Sequence, residues 1–156
     1  MSALPRLLAA CAGFLIGVLW MDLMFDVQAL AGSGAVPESA LASIAAYYRR
    51  VTTDASPMSM LIAGVMLVAV AGAIVTAVRV PGARPIAAAI AIVVPVGLAL
   101  GRVVPNAVRL GQRGDAVATQ AELAIGIARD HLVCLVAVVA FLVLQLGART
   151  GRHPGR

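Results

Sequence analysis

Pro57-Met58-Ser59-Met60-Leu61-Ile62-Ala63-Gly64-Val65-Met66-Leu67-Val68-Ala69-Val70-Ala71-Gly72-Ala73-Ile74-Val75-Thr76-Ala77-Val78 runs without one ionisable side chain. A membrane-spanning helix needs about 20 such residues in a row, so this stretch alone decides the fold class. Three further runs resemble it: Leu7 to Met21, Pro85 to Gly101 and Leu132 to Ala148. The first reaches spanning length only by continuing past Asp22 to Phe25. Over the whole chain only 12% of positions are charged, against roughly 25% in a soluble domain. The chain reads as a membrane protein with no room for a separate soluble domain.

The segments between the runs carry their own signals. Arg6, the apolar run after it and Ala29-Leu30-Ala31 imitate a signal peptide, but an uncleaved first helix is the expectation. Within it, Gly13 and Gly17 form a small-xxx-small pair that admits close approach of another helix, with Asp22 and Asp26 on nearly the opposite face. Because carboxylates do not face lipid cheaply, the first helix should be packed on both sides. Gly32-Ser33-Gly34 breaks it. Pro37-Glu38-Ser39 starts a short amphipathic helix, with an acid at its positive end, Leu41, Ile44, Ala45 and Tyr48 at helical spacing, and Tyr47 and Tyr48 suited to headgroup depth. Ser56-Pro57 caps the next span. Pro95 should kink the third span, which ends in Arg102-Val103-Val104-Pro105-Asn106, and Asp115 is placed to cap the last helix. Ala116 to Leu146 contains no breaker. At 1.5 Å per residue it would run roughly 46 Å, longer than a ~30 Å hydrocarbon core.

The expected fold is therefore all-α: a single integral membrane domain over 1–156, built as a four-helix transmembrane bundle. Its spans fall at about 5–28, 57–79, 85–104 and 130–148. A short interfacial helix at about 37–52 joins the first two, and the last helix projects, its extramembrane part covering about 115–130. The basic tail from Arg149 follows. Cys11 and Cys134 fall near opposite ends of their spans and read as small hydrophobes, not as a disulfide.

Four spans put both termini on one side, with Arg6, Arg79, Arg84, Arg149, Arg152 and Arg156 and no acid. The other side holds six arginines and all seven acids. The uncompensated charge at the termini favours the cytoplasm for them, with the protein multi-pass in the cell membrane, a cell inner membrane in the bacterial case. The arginines are scattered at helix ends, which argues against nucleic acid as a partner.

The non-terminal end gathers the chemistry. Asp22 and Asp26, an i,i+4 pair on one helix face, and His131 are the candidate catalytic residues, since a hard-metal or proton site needs paired oxygens and an acid or base. Asp130, Glu122, Arg102, Asn106 and Arg129 are the candidate binding residues around them. The competing reading has Arg102 or Arg129 neutralising Asp22, Asp26 or Asp130 in plain ion pairs. No metal can be named: the Glu-x-x-His of di-iron bundles is absent, there is no zinc signature, and His153, in the tail at the other end of the bundle, is not expected to share a haem with His131. The cofactor is left unknown.

Ser56-Pro57, Val104-Pro105-Asn106 and Arg129-Asp130-His131 are spaced in an order that resembles the small four-helix membrane proteins grouped with anthrone oxygenases. That resemblance implies a membrane-embedded oxygenase-like enzyme using His131 with Asp22 or Asp26. The tryptophan that family carries before its histidine is missing here, and its pattern does not include Asp22 and Asp26. The leading expectation is instead an accessory or interaction subunit, whose Gly13/Gly17 face and projecting last helix bind the bilayer and a larger membrane complex or a second copy of the chain.

Overall fold

A computed structural model describes residues 3–31, 35–54 and 56–147. The expected break at Gly32-Ser33-Gly34 and the basic tail from Arg149, with His153, lie outside the described residues. Those residues form five helices and no strand: α1 (Leu4–Leu30), α2 (Glu38–Arg49), α3 (Ser56–Arg79), α4 (Ala83–Gln112) and α5 (Val117–Gly147). All but α2 are long and apolar enough to cross a membrane. Helix α4 runs on through Pro105, past the expected end at Arg102–Asn106. Its α-helical parts, Ala83–Leu98 and Val104–Gln112, are joined by a π-turn at Ala99–Val103. A proline ring clashes with the carbonyl four residues before it, here that of Gly101, and the wider turn containing Gly101 relieves that clash while the helix continues. A second π-turn, Arg50–Asp54, ends α2.

The bundle is organised on α1 and α5. On α1, Leu8, Ala12, Leu15, Leu19, Asp22, Asp26 and Ala29 recur at alternating steps of four and three, all buried or half-buried. On α5 the same alternation runs through Gln120, Ala124, Ile127, His131, Cys134, Val138, Phe141 and Gln145, all buried. Two such stripes make a coiled-coil-like seam. Leu8 shares a core with Val138 and Phe141, whereas Asp26 meets His131, so the helices run antiparallel. The polar residues Asp22, Asp26 and His131 thus sit at seam positions, where chain geometry brings them face to face.

Two cores result. The inner one joins Leu8, Cys11, Ala12 and Leu15 of α1 to Ala69 and Ala73 of α3, Ala88 and Ile92 of α4, and Val138 and Phe141 of α5. Small residues let α3 lie close: a methyl group on Gly72 would stand 2.7 Å from Leu8. Both cysteines are buried and free, and Cys134 aims its thiol at the Pro95 carbonyl, 3.6 Å away. The other core covers the outer end. There α2 places Leu41, Ile44, Ala45 and Tyr48 on Val103, Ala107 and Leu110 of α4 and on Ala124 and Ile127 of α5. The first part of α5, expected to project, is therefore roofed by α2. Burying Leu41, Ile44, Leu110 and Ile127 stabilises this cap by about 1.5–3 kcal/mol each if the alternative is water.

Charge pairs fasten the rim. Arg109 holds Asp115 through two 2.7 Å bonds, Arg113 pairs with Glu38, and Gln120 donates to the Asp115 carbonyl at 2.6 Å. The Asp115 carboxylate, expected to cap the last helix, is taken by Arg109 instead. At the opposite end Arg84 donates to the Leu144 carbonyl near the end of α5 at 3.1 Å, a cation at a negative helix terminus.

Gly111 marks where α4 meets α2. A methyl group there would lie 2.9 Å from the Arg49 backbone nitrogen and 3.1 Å from its Cα, and backbone cannot step aside as a side chain can. Gly111→Ala is expected to destabilise the protein by about 1–3 kcal/mol in thermal unfolding in mild detergent. Gly13→Ala, which meets nothing within 4 Å, should leave the midpoint in place.

Candidate functional site: a buried carboxylate–histidine–tyrosine cluster

Asp26 is fully buried, which is costly for a carboxylate unless hydrogen bonds replace its water. Its Oδ1 accepts a 2.6 Å bond from the Tyr48 hydroxyl, and its Oδ2 lies 2.6 Å from His131 Nδ1. One turn earlier, Asp22 Oδ1 accepts a 2.6 Å bond from Tyr47, and its Oδ2 stands 3.7 Å from His131 Nε2. The imidazole is thus set between two acids of one helix. Tyr48 also approaches His131 Nδ1 at 3.4 Å.

Three elements supply the parts. Helix α1 gives the acids, α5 gives His131, and α2 returns over the end of the bundle to deliver two adjacent phenols. Tyr47 stacks on Phe25 of α1, ring centres 4.1 Å apart and nearly parallel, and meets Tyr48 edge-on. Burial, and then the facing carboxylates, push both phenols well above their ordinary range, so both remain proton donors.

His131, Asp22 and Asp26, singled out in the sequence, come together. The other predicted residues do not join them. Asp130 turns to α4, where its Oδ2 lies 3.2 Å from Arg102 Nε. That contact is electrostatic, without the alignment of a hydrogen bond. Glu122 and Arg129 stand exposed on α5, and Asn106 is half-buried on α4. Of the arginine pairings considered, Arg102 with Asp130 forms, while Asp22 and Asp26 are held by phenols and imidazole. Sequence reasoning placed Tyr47 and Tyr48 at headgroup depth and missed their role. The inward phase of Tyr48 was the available signal, because an enclosed phenol must find an acceptor.

Two surface recesses lie elsewhere, one along Leu132, Val133, Val136, Ala137 and Ala140, the other between Arg49, Thr53, Gly111 and Gln112. Among the described residues, no three His, Cys, Asp or Glu side chains are placed to hold a metal ion.

Residues 5–150 match the family model of the SHR3 chaperones, described as ER membrane protein SH3. The chain belongs to the SHR3 chaperone family. No curated protein and no solved structure matches it. The family match overturns the likeness to anthrone oxygenases. Ser56-Pro57 opens α3, where proline in the first turn is common to many helices, and Val104-Pro105-Asn106 follows the π-turn inside α4, whereas the SHR3 pattern follows nearly the whole chain. Membership together with four apolar helices makes this a multi-pass integral membrane protein of an accessory kind, and the family description names the endoplasmic reticulum membrane, not a cell inner membrane.

Removing the hydroxyl from Tyr48 would leave Asp26 Oδ1 buried without a donor. Tyr48→Phe is expected to cost about 1–3 kcal/mol in detergent unfolding, and Tyr47→Phe less, because the Asp22 side chain keeps 14% exposure where that of Asp26 has none.

Proposed function

We propose that this SHR3-family protein is a non-enzymatic membrane chaperone or accessory subunit that receives a helix of a larger membrane protein on α1. The observation that carries this reading is a second stripe on α1. Ala10, Gly13, Gly17, Trp20, Met24 and Val27 repeat the alternation of three and four residues on the side away from α5, and all six are exposed. The first helix, expected to be packed on both sides, is covered on one. A methyl group at Gly13 or Gly17 would meet nothing within 4 Å, so small residues there serve no contact among the described residues. They do suit a partner: in lipid, helices associate through close backbone approach over small residues, and Trp20 and Met24 beyond them add adaptable apolar area.

In this reading the polar end is the rigid part. Asp22 and Asp26 are held by groups of the chain, and the exposed Glu122 and Arg129 with the α2 cap form the extramembrane surface a partner's loops would meet. Both termini are assigned to the cytoplasmic side and the protein to the endomembrane of its relatives.

The test is Gly17→Leu, purified in mild detergent with co-purifying proteins identified and quantified. Thermal stability should be unchanged while a stoichiometric membrane partner falls at least several-fold. Undiminished partner yield, or capture only of a second copy of the chain, would contradict the proposal.

A further inference from the structure

Down the outward side of α5, away from the His131 seam, the chemistry changes in a fixed order. Glu122 comes first, Arg129 follows seven residues later, and below Arg129 lies the apolar recess of Leu132, Val133, Val136, Ala137 and Ala140. Seven residues fall within about 20° of two full turns, so the two charges share one side of the helix about 10 Å apart. The recess residues follow Arg129 by three, four, seven, eight and eleven positions, the spacing of that same side. Both charges are exposed. Among the described residues no hydrogen bond or ion pair holds either of them, whereas Arg102, Arg109 and Arg113 are engaged by Asp130, Asp115 and Glu38.

Depth decides what can cover this side. No ionisable residue occurs from Leu132 to Ala148, so the apolar band begins one turn below Arg129. A helical side chain leans toward the N-terminus of its helix, here outward, and an arginine at that level buries its stem while its guanidinium reaches the headgroup layer. From Arg129 to Ala140 the helix descends about 16 Å, close to half of a ~30 Å hydrocarbon core and so the depth of one leaflet. Counted inward, the order of anion, cation and apolar trough complements the ammonium, phosphate and acyl chain of a phospholipid. A second copy of the chain fits less well, because two copies inserted the same way and packed α5 on α5 would set Arg129 against Arg129.

We propose that the outward side of α5 is a binding site for an ethanolamine phospholipid. The Arg129 guanidinium holds the phosphate through paired N–H donors, the trough takes one acyl chain, and the Glu122 carboxylate accepts from the headgroup ammonium. A choline headgroup has no N–H to donate, and a glycerol headgroup brings no positive charge to Glu122. The bound headgroup becomes part of the outer surface beside the α2 cap. This site is on α5 and stands independently of the docking stripe on α1.

The experiment is native mass spectrometry of the full chain, delipidated in mild detergent and supplied with phosphatidylethanolamine, phosphatidylcholine or phosphatidylglycerol of the same acyl composition. The ethanolamine lipid should be retained several-fold more than either of the others. Arg129→Gln should lower retention of all three several-fold, and Glu122→Gln should keep binding but erase the preference for ethanolamine. Ala140→Phe, which fills the trough, should weaken binding with both charges intact. All three variants replace exposed side chains, and unchanged thermal midpoints verify that the fold is kept. Equal retention of the three lipids by the parent, stronger retention of the glycerol lipid, or undiminished retention by Arg129→Gln overturns the proposal. So does a dimer in the same spectra that Ala140→Phe dissolves, which would give this side to a second copy.

Discussion

A carboxylate with no access to water, Asp26, is the constraint around which the outer half of the molecule is arranged. Burying it is tolerable because Tyr48 donates to one oxygen and His131 Nδ1 meets the other at 2.6 Å, and they come from helices distant in the chain. The requirement therefore fixes three things together: the axial register of α1 against α5, the return of α2 over the bundle, and the rotation of α2 that turns Tyr48 inward. Apolar seams in lipid specify register weakly, since one apolar residue replaces another with little loss. A polar set that is satisfied in one alignment and orphaned in the others supplies what the apolar seam lacks, as buried polar residues do in coiled coils. The rim pairs Arg113 with Glu38 and Arg109 with Asp115 are exposed and contribute far less.

In the proposed reading the same arrangement separates rigidity from recognition. One face of α1 is consumed by α5 and pinned by Asp22 and Asp26. The opposite face has equal periodicity, small residues at its middle and no occupant among the described residues. In the proposed reading that uncovered stripe is the docking face, and the packed side of α1 is the frame that carries it. Helix α3, tucked on through Gly72, Ala69 and Ala73, completes the frame on the inner side.

Much of this was legible before any coordinates. Composition and run length specify four apolar spans, and Pro37-Glu38 with the Leu41, Ile44, Tyr48 phase specifies a short amphipathic helix. The i,i+4 spacing of Asp22 and Asp26 marks the polar face. The partners of those acids were not legible, because phenols and arginines compete for carboxylates and one-dimensional spacing does not say which arrives. Arginine, long and charged, remained at the rim with Glu38, Asp115 and Asp130, while short stiff tyrosines on a helix packed into the cap could be buried without desolvating a cation. The continuation of α4 past Pro105 was hidden for a similar reason: proline ends helices unless a π-turn makes room. The likeness to anthrone oxygenases rested on two- and three-residue motifs too short to specify a family, and it gave way to a pattern spanning residues 5–150.

The central claim is that Asp26 couples α2 to the α1–α5 seam, and a double-mutant cycle on Asp26→Asn and Tyr48→Phe measures that coupling directly. Unfolding free energies of the parent, both single variants and the double variant in one detergent should give an interaction energy of about 1–3 kcal/mol. Strict additivity of the two substitutions would contradict the account.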